Sequence, residues 1–297
     1  MSIYSDYIEP IFRPPSEAGS MILQVTNGCS WNRCAFCEMY TAPQKKFFAK
    51  KEAALLADIE QAAESMSHTR RIFLADGDAM VLSTRRLLTI LDAINRHFPN
   101  INRVSSYCLP RNVANKSVTE LQELKAAGLG LAYIGAESGD DQLLQMIDKG
   151  ETFASTLAAL QKLQQAGFKT SVMILNGLGG AAYTRQHAVN SARLVSEAQP
   201  NYLATLVVSF PLGKERFLKH FSDGFQMLDQ AGLFREMRLF IEHTQLSSSL
   251  FRSDHASNYL VLKGVLGRDK QELLDRLDLA ITAPDQLSLR EEWQRGL

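Results

Sequence analysis

The sequence predicts an α/β protein, a partial (β/α)6 barrel of the TIM type followed by a small C-terminal extension. Short apolar runs alternate with amphipathic segments of helical period, which is typical of a parallel sheet with covering helices. Six such runs are complete by Ser209, and 297 residues suit one large core. Six strands instead of eight leave a barrel partly open, with chemistry expected at the carboxyl ends of the strands.

The predicted strands are short β-branched or apolar runs at 21–25, 71–75, 103–109, 131–137, 168–175 and 202–208. The predicted helices lie between them, at 50–66, 83–97, 117–127, 140–147, 153–166 and 184–198. In the first helix, Leu55, Ile59, Ala63 and Met66 fall on one face, and Gly128 supplies a helix stop.

After Pro211 the alternation becomes weaker. We expect a helix at 213–231, a strand-like run at 237–242, a polar loop at 247–259 and helical segments after Asp269. The predicted domains are an N-terminal extension (1–20), a core barrel (21–211) and a C-terminal extension (212–297) that covers the open side of the barrel. No Pro/Gly/Ser linker marks the boundary.

Composition narrows the class of partner. Lys plus Arg equals Asp plus Glu at 32 each, so no global field draws the protein to nucleic acid or anionic lipid, and no DNA partner is expected. The N-terminus lacks the basic start and apolar run of a signal peptide, and no stretch reaches the roughly 18 apolar residues of a membrane helix. These features predict a cytoplasmic protein without a membrane partner.

Three of the four cysteines follow the first predicted strand within nine residues, as Cys29, Cys34 and Cys37. This spacing is a poor disulfide framework and a good metal site. No histidine precedes His68 to complete a Cys3His zinc site. Three thiolates leave one iron of a 4Fe-4S cluster open to an exogenous ligand, which favours a catalytic iron-sulfur cluster. A structural zinc site is the alternative.

At these residues the sequence resembles the radical S-adenosylmethionine (SAM) superfamily. Phe36, before the third cysteine, matches the family pattern, whereas the four residues Ser30 to Arg33 exceed by one the usual spacing. The resemblance implies a 4Fe-4S cluster whose open iron binds the amino and carboxylate groups of SAM. It further implies one-electron cleavage to a 5′-deoxyadenosyl radical, a flavodoxin- or ferredoxin-type electron donor, and a substrate that the sequence does not identify.

Later strand ends match further family motifs. Asp76, Gly77 and Asp78 stand where the family has a Gly-Gly-Glu-like turn that meets the methionine ammonium of SAM; the alternative is an ordinary Asp-Gly turn. The segment YIGAESGDDQLLQMIDKG is similar to one in coproporphyrinogen oxidase-like, methylthiotransferase-like and elongator-subunit-like members. It implies that Glu137 accepts the ribose hydroxyls and that Lys149 approaches the methionine carboxylate. A capping or ion-paired Glu137 and a solvated Lys149 are the alternatives.

The fifth strand ends in SVMILNGLGG, which resembles the family's Gly-rich strand end. There Gly177 would let the adenine lie against the backbone, although a tight turn explains it almost as well. The third strand segment, VSSYCLPRN, offers Ser106 and Arg111 at comparable depth, and Ser106 is a further candidate for cofactor binding. The resemblance covers residues 21–209.

The remaining residues carry weaker signals. Cys108 reads as a small core residue, and no further cysteines remain for a second cluster. A local run of lysines beside the cysteine loop is interpreted as the solvated start of a helix; binding of an anionic substrate or an electron donor is the alternative. The run comprises Lys45, Lys46, Lys50 and Lys51. The segment RSDHASN, which includes His255, either touches substrate or forms a hydrogen-bonded loop.

The predicted function is hydrogen-atom abstraction from an unidentified substrate. A small metabolite or cofactor precursor ranks first and RNA second. The alternative is a haem- or cluster-delivery protein on the same fold.

Overall fold

The first half of the chain forms alternating strands and helices, as the hydrophobic pattern predicts. The structure, a computed structural model, describes residues 7–221 and 224–295. Its first elements are β1 (Met21–Gln24), β2 (Thr26–Asn27), β3 (Phe48–Ala49), α1 (Glu52–Met66), β4 (Arg71–Ala75), α2 (Thr84–His97), β5 (Arg103–Tyr107), α3 (Pro110–Ala114), α4 (Val118–Ala126) and β6 (Leu129–Glu137).

The second half continues the alternation and then adds two strands to the same sheet. Its elements are α5 (Asp141–Met146), α6 (Phe153–Gln165), β7 (Lys169–Asn176), α7 (Gly180–Ala198), β8 (Tyr202–Val207), α8 (Glu215–Leu218), α9 (Gln230–His243), β9 (Ser249–Ser253), β10 (Leu262–Leu266) and α10 (Lys270–Thr282).

Within the described residues the main sheet has eight strands in the order β1, β4, β5, β6, β7, β8, β9, β10. The pairs among β1, β4, β5 and β6 are parallel, as are those among β7, β8 and β9, whereas β10 runs antiparallel to β9. In β4, Ile72, Phe73 and Leu74 are all fully buried, the continuous apolar run of a strand covered on both faces. The predicted α/β barrel class is confirmed, and all six predicted strands are present.

The described chain divides into two compact units. The first unit comprises the described residues up to Asn32, together with Cys37–Ile134 and Ala158–Thr170. The second unit comprises Arg33–Phe36, Gly135–Leu157 and the described residues from Ser171 onward. Each unit is therefore made of several separate stretches of the sequence, and no one position in the sequence divides them.

Three expectations for the C-terminal region are wrong. Of the predicted helix at 213–231, the described residues form only α8 and the start of α9, in a segment that follows Pro211 and holds Gly213 and Gly224; residues 222 and 223 lie outside the described residues. The strand-like run at 237–242 lies inside α9, whose buried Leu233, Met237 and Phe240 follow helical spacing once the window is widened. The first part of the predicted loop at 247–259 is strand β9.

No helix in the described parts of the chain combines the length and the apolar character needed to cross a membrane.

Candidate functional site

The cysteine loop of the first unit is closed by a short two-stranded ribbon. β2 and β3 pair antiparallel, with Thr26 opposite Ala49 and Asn27 opposite Phe48. The Asn27 side-chain amide donates to the carbonyl oxygens of Gln44 at 2.7 Å and Lys46 at 2.8 Å. Both ends of the loop are thereby fixed, and the loop contains the partly buried Cys29 and Cys37.

Asp76 follows β4 and is fully buried beside this loop. Its Oδ2 accepts a hydrogen bond from the Gly28 backbone N–H at 3.3 Å and forms an ion pair with the fully buried Lys45. The Asp76 backbone N–H donates to Thr26 Oγ1 at 3.1 Å. Burial raises the pKa of Asp76, and the Lys45 ammonium opposes that rise. Asp76 is thus bonded to the residue that precedes Cys29.

Asp78 is also fully buried and binds the residue that follows Cys29. Its Oδ1 accepts from the Ser30 backbone N–H at 3.1 Å, and its Oδ2 accepts from the Ser30 hydroxyl. Burial raises the pKa of Asp78 to about 6, against the hydrogen bonds from Ser30 and Asn112 and the charge of Arg111. Both carboxylate oxygens therefore have protein partners.

Gly77 lies between these aspartates in close contact with the cysteine itself. A Cβ atom at Gly77 would come within 2.8 Å of the Cys29 Cβ and 2.7 Å of the Tyr40 ring. The Gly77 backbone N–H donates to the Gly28 carbonyl at 3.0 Å. The absence of a side chain is what permits this approach.

Each of the four residues between Cys29 and Cys34, Ser30 to Arg33, has a contact of its own. Besides Ser30, the Trp31 ring stacks with the Arg111 guanidinium at 3.9 Å, and the Asn32 side-chain amide donates to the Tyr40 carbonyl at 2.8 Å. In the second unit, Arg33 forms a largely exposed ion pair with Asp148 at 3.0 Å. The extra residue therefore lies in a segment that is anchored along its length.

Cys34 lies in the second unit, in a turn held by backbone contacts. Its carbonyl accepts from the Arg216 guanidinium at 2.8 Å, and the following Ala35 N–H donates to the Ile147 carbonyl at 2.8 Å. Burial raises the pKa of the Cys34 thiol, and the nearby Lys149 ammonium partly offsets this. Arg216 was not singled out from the sequence, because nothing in its local pattern marks a contact with a residue so distant along the chain.

Glu137 and Lys149 form a buried ion pair in the second unit. Lys149 Nζ lies 3.0 Å from Glu137 Oε1 and 5.8 Å from the centre of the Phe36 ring. Glu137 is 4% exposed, and its second oxygen, Oε2, is buried without a hydrogen-bond partner. The structure thus pairs Glu137 with Lys149, which agrees with the alternative of an ion-paired Glu137 and contradicts the alternative of a solvated Lys149.

Gly177 directly follows β7 and has a φ of 84°, which residues with a side chain rarely adopt. Its N–H donates to Glu236 Oε1 at 2.6 Å, and a Cβ atom here would lie 2.8 Å from Leu233 Cδ2. Helix α9 therefore packs directly against this glycine. The role of Gly177 beside an adenine stays a prediction.

Several of the remaining candidates are buried, and the cofactor contact of Ser106 stays a prediction. Ser106 is fully buried and donates to the Tyr107 carbonyl at 2.8 Å, and Cys108 is 2% exposed in the core. Lys45 and Lys50 are buried in ion pairs, the latter with Asp58, so the expectation of a solvated basic run is wrong for both.

Within the RSDHASN segment, Arg252 and Ser253 end β9, and residues 254–258 form a hydrogen-bonded loop beside the end of β8. The Asn258 side chain accepts from the Val207 N–H at 3.1 Å and donates to the Thr205 carbonyl at 2.9 Å. His255 Nδ1 lies 2.9 Å from the Ser257 hydroxyl. The hydrogen-bonded alternative describes these residues; contact with a substrate stays untested.

Three free cysteine thiols are chemically suited to bind a metal cluster. The four cysteines form no disulfide, and Cys29, Cys34 and Cys37 are all partly exposed. No group of three or more His, Cys, Asp or Glu side chains forms a ready metal site among the described residues. Cys29 and Cys37 belong to the first unit and Cys34 to the second.

Comparison with known families decides the class of protein. The family model described as "Radical SAM superfamily" matches residues 23–195, more than half of the chain. The chain belongs to the radical SAM superfamily. Members of this superfamily bind a 4Fe-4S cluster and SAM. The matched segment contains the three predicted cluster cysteines and the predicted SAM-contacting residues Phe36, Asp76, Gly77, Asp78, Ser106, Glu137, Lys149 and Gly177.

Individual proteins are similar to this chain at low sequence identity. The haem chaperone HemW of Bacillus subtilis (strain 168) is 23% identical over 182 residues, which is 59% of this chain and 47% of HemW. The structure of coproporphyrinogen III oxidase (HemN) from Escherichia coli has a TM-score of 0.57 at 15% identity and covers 75% of this chain and 52% of HemN. That of methylornithine synthase (PylB) has a TM-score of 0.53 at 13% identity, covering 88% and 81%.

These structural likenesses show a shared fold. The chain spans about half the length of HemW and HemN.

Proposed function

We propose that this radical SAM protein holds a 4Fe-4S cluster through Cys29, Cys34 and Cys37 and cleaves SAM reductively. The cysteine triplet within the family-matched segment 23–195 carries the proposal. When bound, the cluster and SAM supply a 5′-deoxyadenosyl radical that abstracts a hydrogen atom from the substrate.

Two opposing effects act on the Cys34 thiol, whose pKa is raised overall. A thiol must lose its proton to bind iron, and burial alone opposes that loss by raising the pKa of Cys34. The Lys149 ammonium favours the thiolate. Lys149 thus stabilises negative charge on Cys34 as well as on Glu137.

Glu137 is proposed to accept the ribose hydroxyls of SAM. A buried carboxylate oxygen without a partner costs free energy, so Oε2 is suited to a donor that arrives with a ligand. Lys149 meanwhile holds Oε1 at 3.0 Å and orients the carboxylate. The chain thereby provides an acceptor whose direction is fixed before the ligand binds.

The first test is anaerobic reconstitution with iron and sulfide, followed by dithionite and SAM and a chromatographic assay for 5′-deoxyadenosine. We expect 5′-deoxyadenosine from the unaltered protein and none from Cys29→Ala, Cys34→Ala or Cys37→Ala. Cys108→Ala is the matched control, because this cysteine lies in the core and is not a proposed ligand. A full iron complement in any of the three variants would refute the ligand assignment.

The second candidate is haem binding, which is favoured by the similarity to HemW. It predicts that haem added to the purified protein gives a saturable absorption change while 5′-deoxyadenosine formation stays at background. The two assays on one preparation separate the candidates. Product formation without haem binding supports the enzyme, and the reverse result supports a carrier.

Substrate and electron donor follow from weaker observations. Because positive and negative side chains balance at 32 each, we propose a small metabolite or cofactor precursor as substrate, with RNA second. A flavodoxin- or ferredoxin-type protein is the proposed electron donor. The proposed place of action is the cytoplasm, where reducing conditions keep thiols available to iron.

A further inference from the structure

We propose that the turn Asp76-Gly77-Asp78 positions the first cysteine of the cluster loop, with the Asp78 carboxylate acting on the backbone that carries Cys29. This inference rests on the proposed function, because it takes Cys29 to be a cluster ligand. It assigns Asp78 a role different from the family's contact between this turn and the methionine ammonium.

Each residue of the turn forms a hydrogen bond with a residue next to Cys29 in the loop. Asp76 Oδ2 accepts from the Gly28 N–H, the Gly77 N–H donates to the Gly28 carbonyl, and Asp78 Oδ1 accepts from the Ser30 N–H at 3.1 Å. Cys29 is therefore bracketed by bonded residues on both sides. Rotation of its backbone requires breaking at least one of these bonds.

Gly77, at the centre of the turn, is packed so closely against Cys29 that there is no space for a side chain. A Cβ atom at Gly77 would lie 2.8 Å from the Cys29 Cβ, closer than such carbon atoms approach. The turn thus touches the cysteine side chain directly as well as its neighbours. Hydrogen bonds fix the backbone, and this contact restricts the side chain.

The Asp78 carboxylate is fully used by the protein. Oδ1 and Oδ2 both accept from Ser30, Asn112 adds a side-chain hydrogen bond, and Arg111 contributes favourable charge. Arg111 also stacks on Trp31, so the same network continues one residue further along the loop. The Asp76 carboxylate is likewise held by the protein, because its Oδ2 pairs with Lys45 and the Tyr40 hydroxyl adds a side-chain hydrogen bond.

The test uses Asp78→Ala, Ser30→Ala and the double variant, with Asp92→Ala as the control for loss of an exposed aspartate. The cofactor-free readout is acrylamide quenching of Trp31 fluorescence in a Trp293→Phe background. Trp31 and Trp293 are the two tryptophans of the chain, and Trp293 is 81% exposed. After reconstitution, the rate of iron release to a chelator and the affinity for SAM are measured.

We expect Asp78→Ala to increase quenching of Trp31 and to speed iron release at least about tenfold, as loss of hydrogen bonds to a charged group implies. Ser30→Ala should also increase Trp31 quenching and the rate of iron release, but by less than Asp78→Ala, because the Ser30 backbone N–H remains. The double variant is no worse than Asp78→Ala, since both changes remove one interaction. The SAM affinity of the cluster-loaded fraction stays within about twofold of the unaltered protein.

Weaker SAM binding in Asp78→Ala, with quenching and iron release unchanged, would overturn the inference and place the carboxylate at the cofactor. If Asp78→Ala does not fold, Ser30→Ala decides, because Ser30 is exposed and the substitution is small. Unchanged quenching and iron release in Ser30→Ala then refute the inference. Absence of 5′-deoxyadenosine from the unaltered protein refutes the proposed function instead, and leaves the fluorescence result standing.

Discussion

Glu137 holds a backbone conformation that few side chains adopt, with a φ of 65°, and its carboxylate is buried beside Lys149. Strain of this kind persists only where surrounding contacts compensate for it. Here the compensation includes the ion pair and the space left by Gly135, two residues earlier in β6. A Cβ atom at Gly135 would lie 2.0 Å from Glu137 Oε1 and 3.5 Å from Lys149 Nζ.

Gly135→Ala should therefore displace the Glu137 carboxylate from Lys149. We expect the free energy of unfolding to fall by about 1 to 3 kcal/mol, as for other overpacked sites, and SAM affinity to fall with it. Chemical denaturation and equilibrium SAM binding measure the two effects. Gly130→Ala in the same strand is the matched control, because the nearest atom to its added Cβ lies 3.6 Å away. Equal losses of stability and SAM affinity in Gly135→Ala and Gly130→Ala would show that glycine in this strand matters only for backbone conformation.

His255 gives a pH-dependent contribution to stability. Burial, followed by the charge of Arg290, lowers its pKa from 6.5. The folded protein then binds fewer protons at this site than the unfolded chain between the lowered pKa and 6.5. The contribution of His255 is therefore fully present above 6.5 and declines as the pH falls toward the folded pKa.

Urea denaturation at several pH values between 7.5 and 5.5 measures this contribution. The unaltered protein should lose more stability across the range than His255→Gln, whose side chain does not titrate. Parallel pH profiles for the two proteins would contradict the assignment.

Among the elements, the short helix α8 and its flanking segments owe their structure to aromatic packing. Phe217 is 1% exposed, and its ring centre lies 4.6 Å from Phe210, 4.7 Å from Phe221 and 4.9 Å from Phe225. Four helical residues are too few to be stable through backbone hydrogen bonds alone. The aromatic cluster therefore fixes the segment from which Arg216 reaches the Cys34 carbonyl.

Phe217→Ala should lower the free energy of unfolding by about 3 to 5 kcal/mol, because a large buried ring is removed from a close-packed cluster. The position of Arg216 depends on the same cluster, so we also expect faster alkylation of the Cys34 thiol in the cluster-free protein. Denaturation and labelling with mass spectrometry provide the measurements. Phe48→Ala is the control, since Phe48 is 47% exposed and the same substitution there should cost little. A stable Phe217→Ala variant with unchanged labelling would refute this account.

In the molecule as a whole, the main sheet does not end with the six strands predicted from the pattern. β9 pairs in parallel with β8, with Tyr202 opposite Leu250, and Asn258 bonds to the backbone of β8. Glu236 and Leu233 of α9 contact Gly177 at the end of β7. The C-terminal residues thus complete the surroundings of two strands that precede them.

A fragment ending at residue 211 should therefore fail to unfold cooperatively, because β8 loses its partner strand and buried apolar surface becomes exposed. Circular dichroism during thermal denaturation, compared with the full chain under the same conditions, tests this. A cooperative transition in the fragment would instead support the predicted boundary between a core of 21–211 and an extension of 212–297.

The success of sequence analysis differed along the chain for identifiable reasons. In β4 and α2 the hydrophobic period, Ser83 and the terminal residues specify each element locally, and the predicted bounds agree with the structure to within a few residues. The run 237–242 within α9 is too short a window to separate a strand from a buried helical stretch. The burial of Lys45 does not follow from its neighbours in the sequence, because it depends on a carboxylate 31 residues away.

The amino-acid sequence alone determined the alternation of strands and helices, the cysteine spacing and the resemblance to the radical SAM superfamily, because each depends on residues close together in the chain. Tertiary structure alone decided that Lys45 pairs with Asp76, that Asp78 holds Ser30, and that Lys149 pairs with Glu137. These pairings join residues 12 to 48 positions apart, and which charges meet depends on strand order and register. The local hydrophobic pattern specifies the strands and helices, whereas their packing determines which buried polar groups pair with each other.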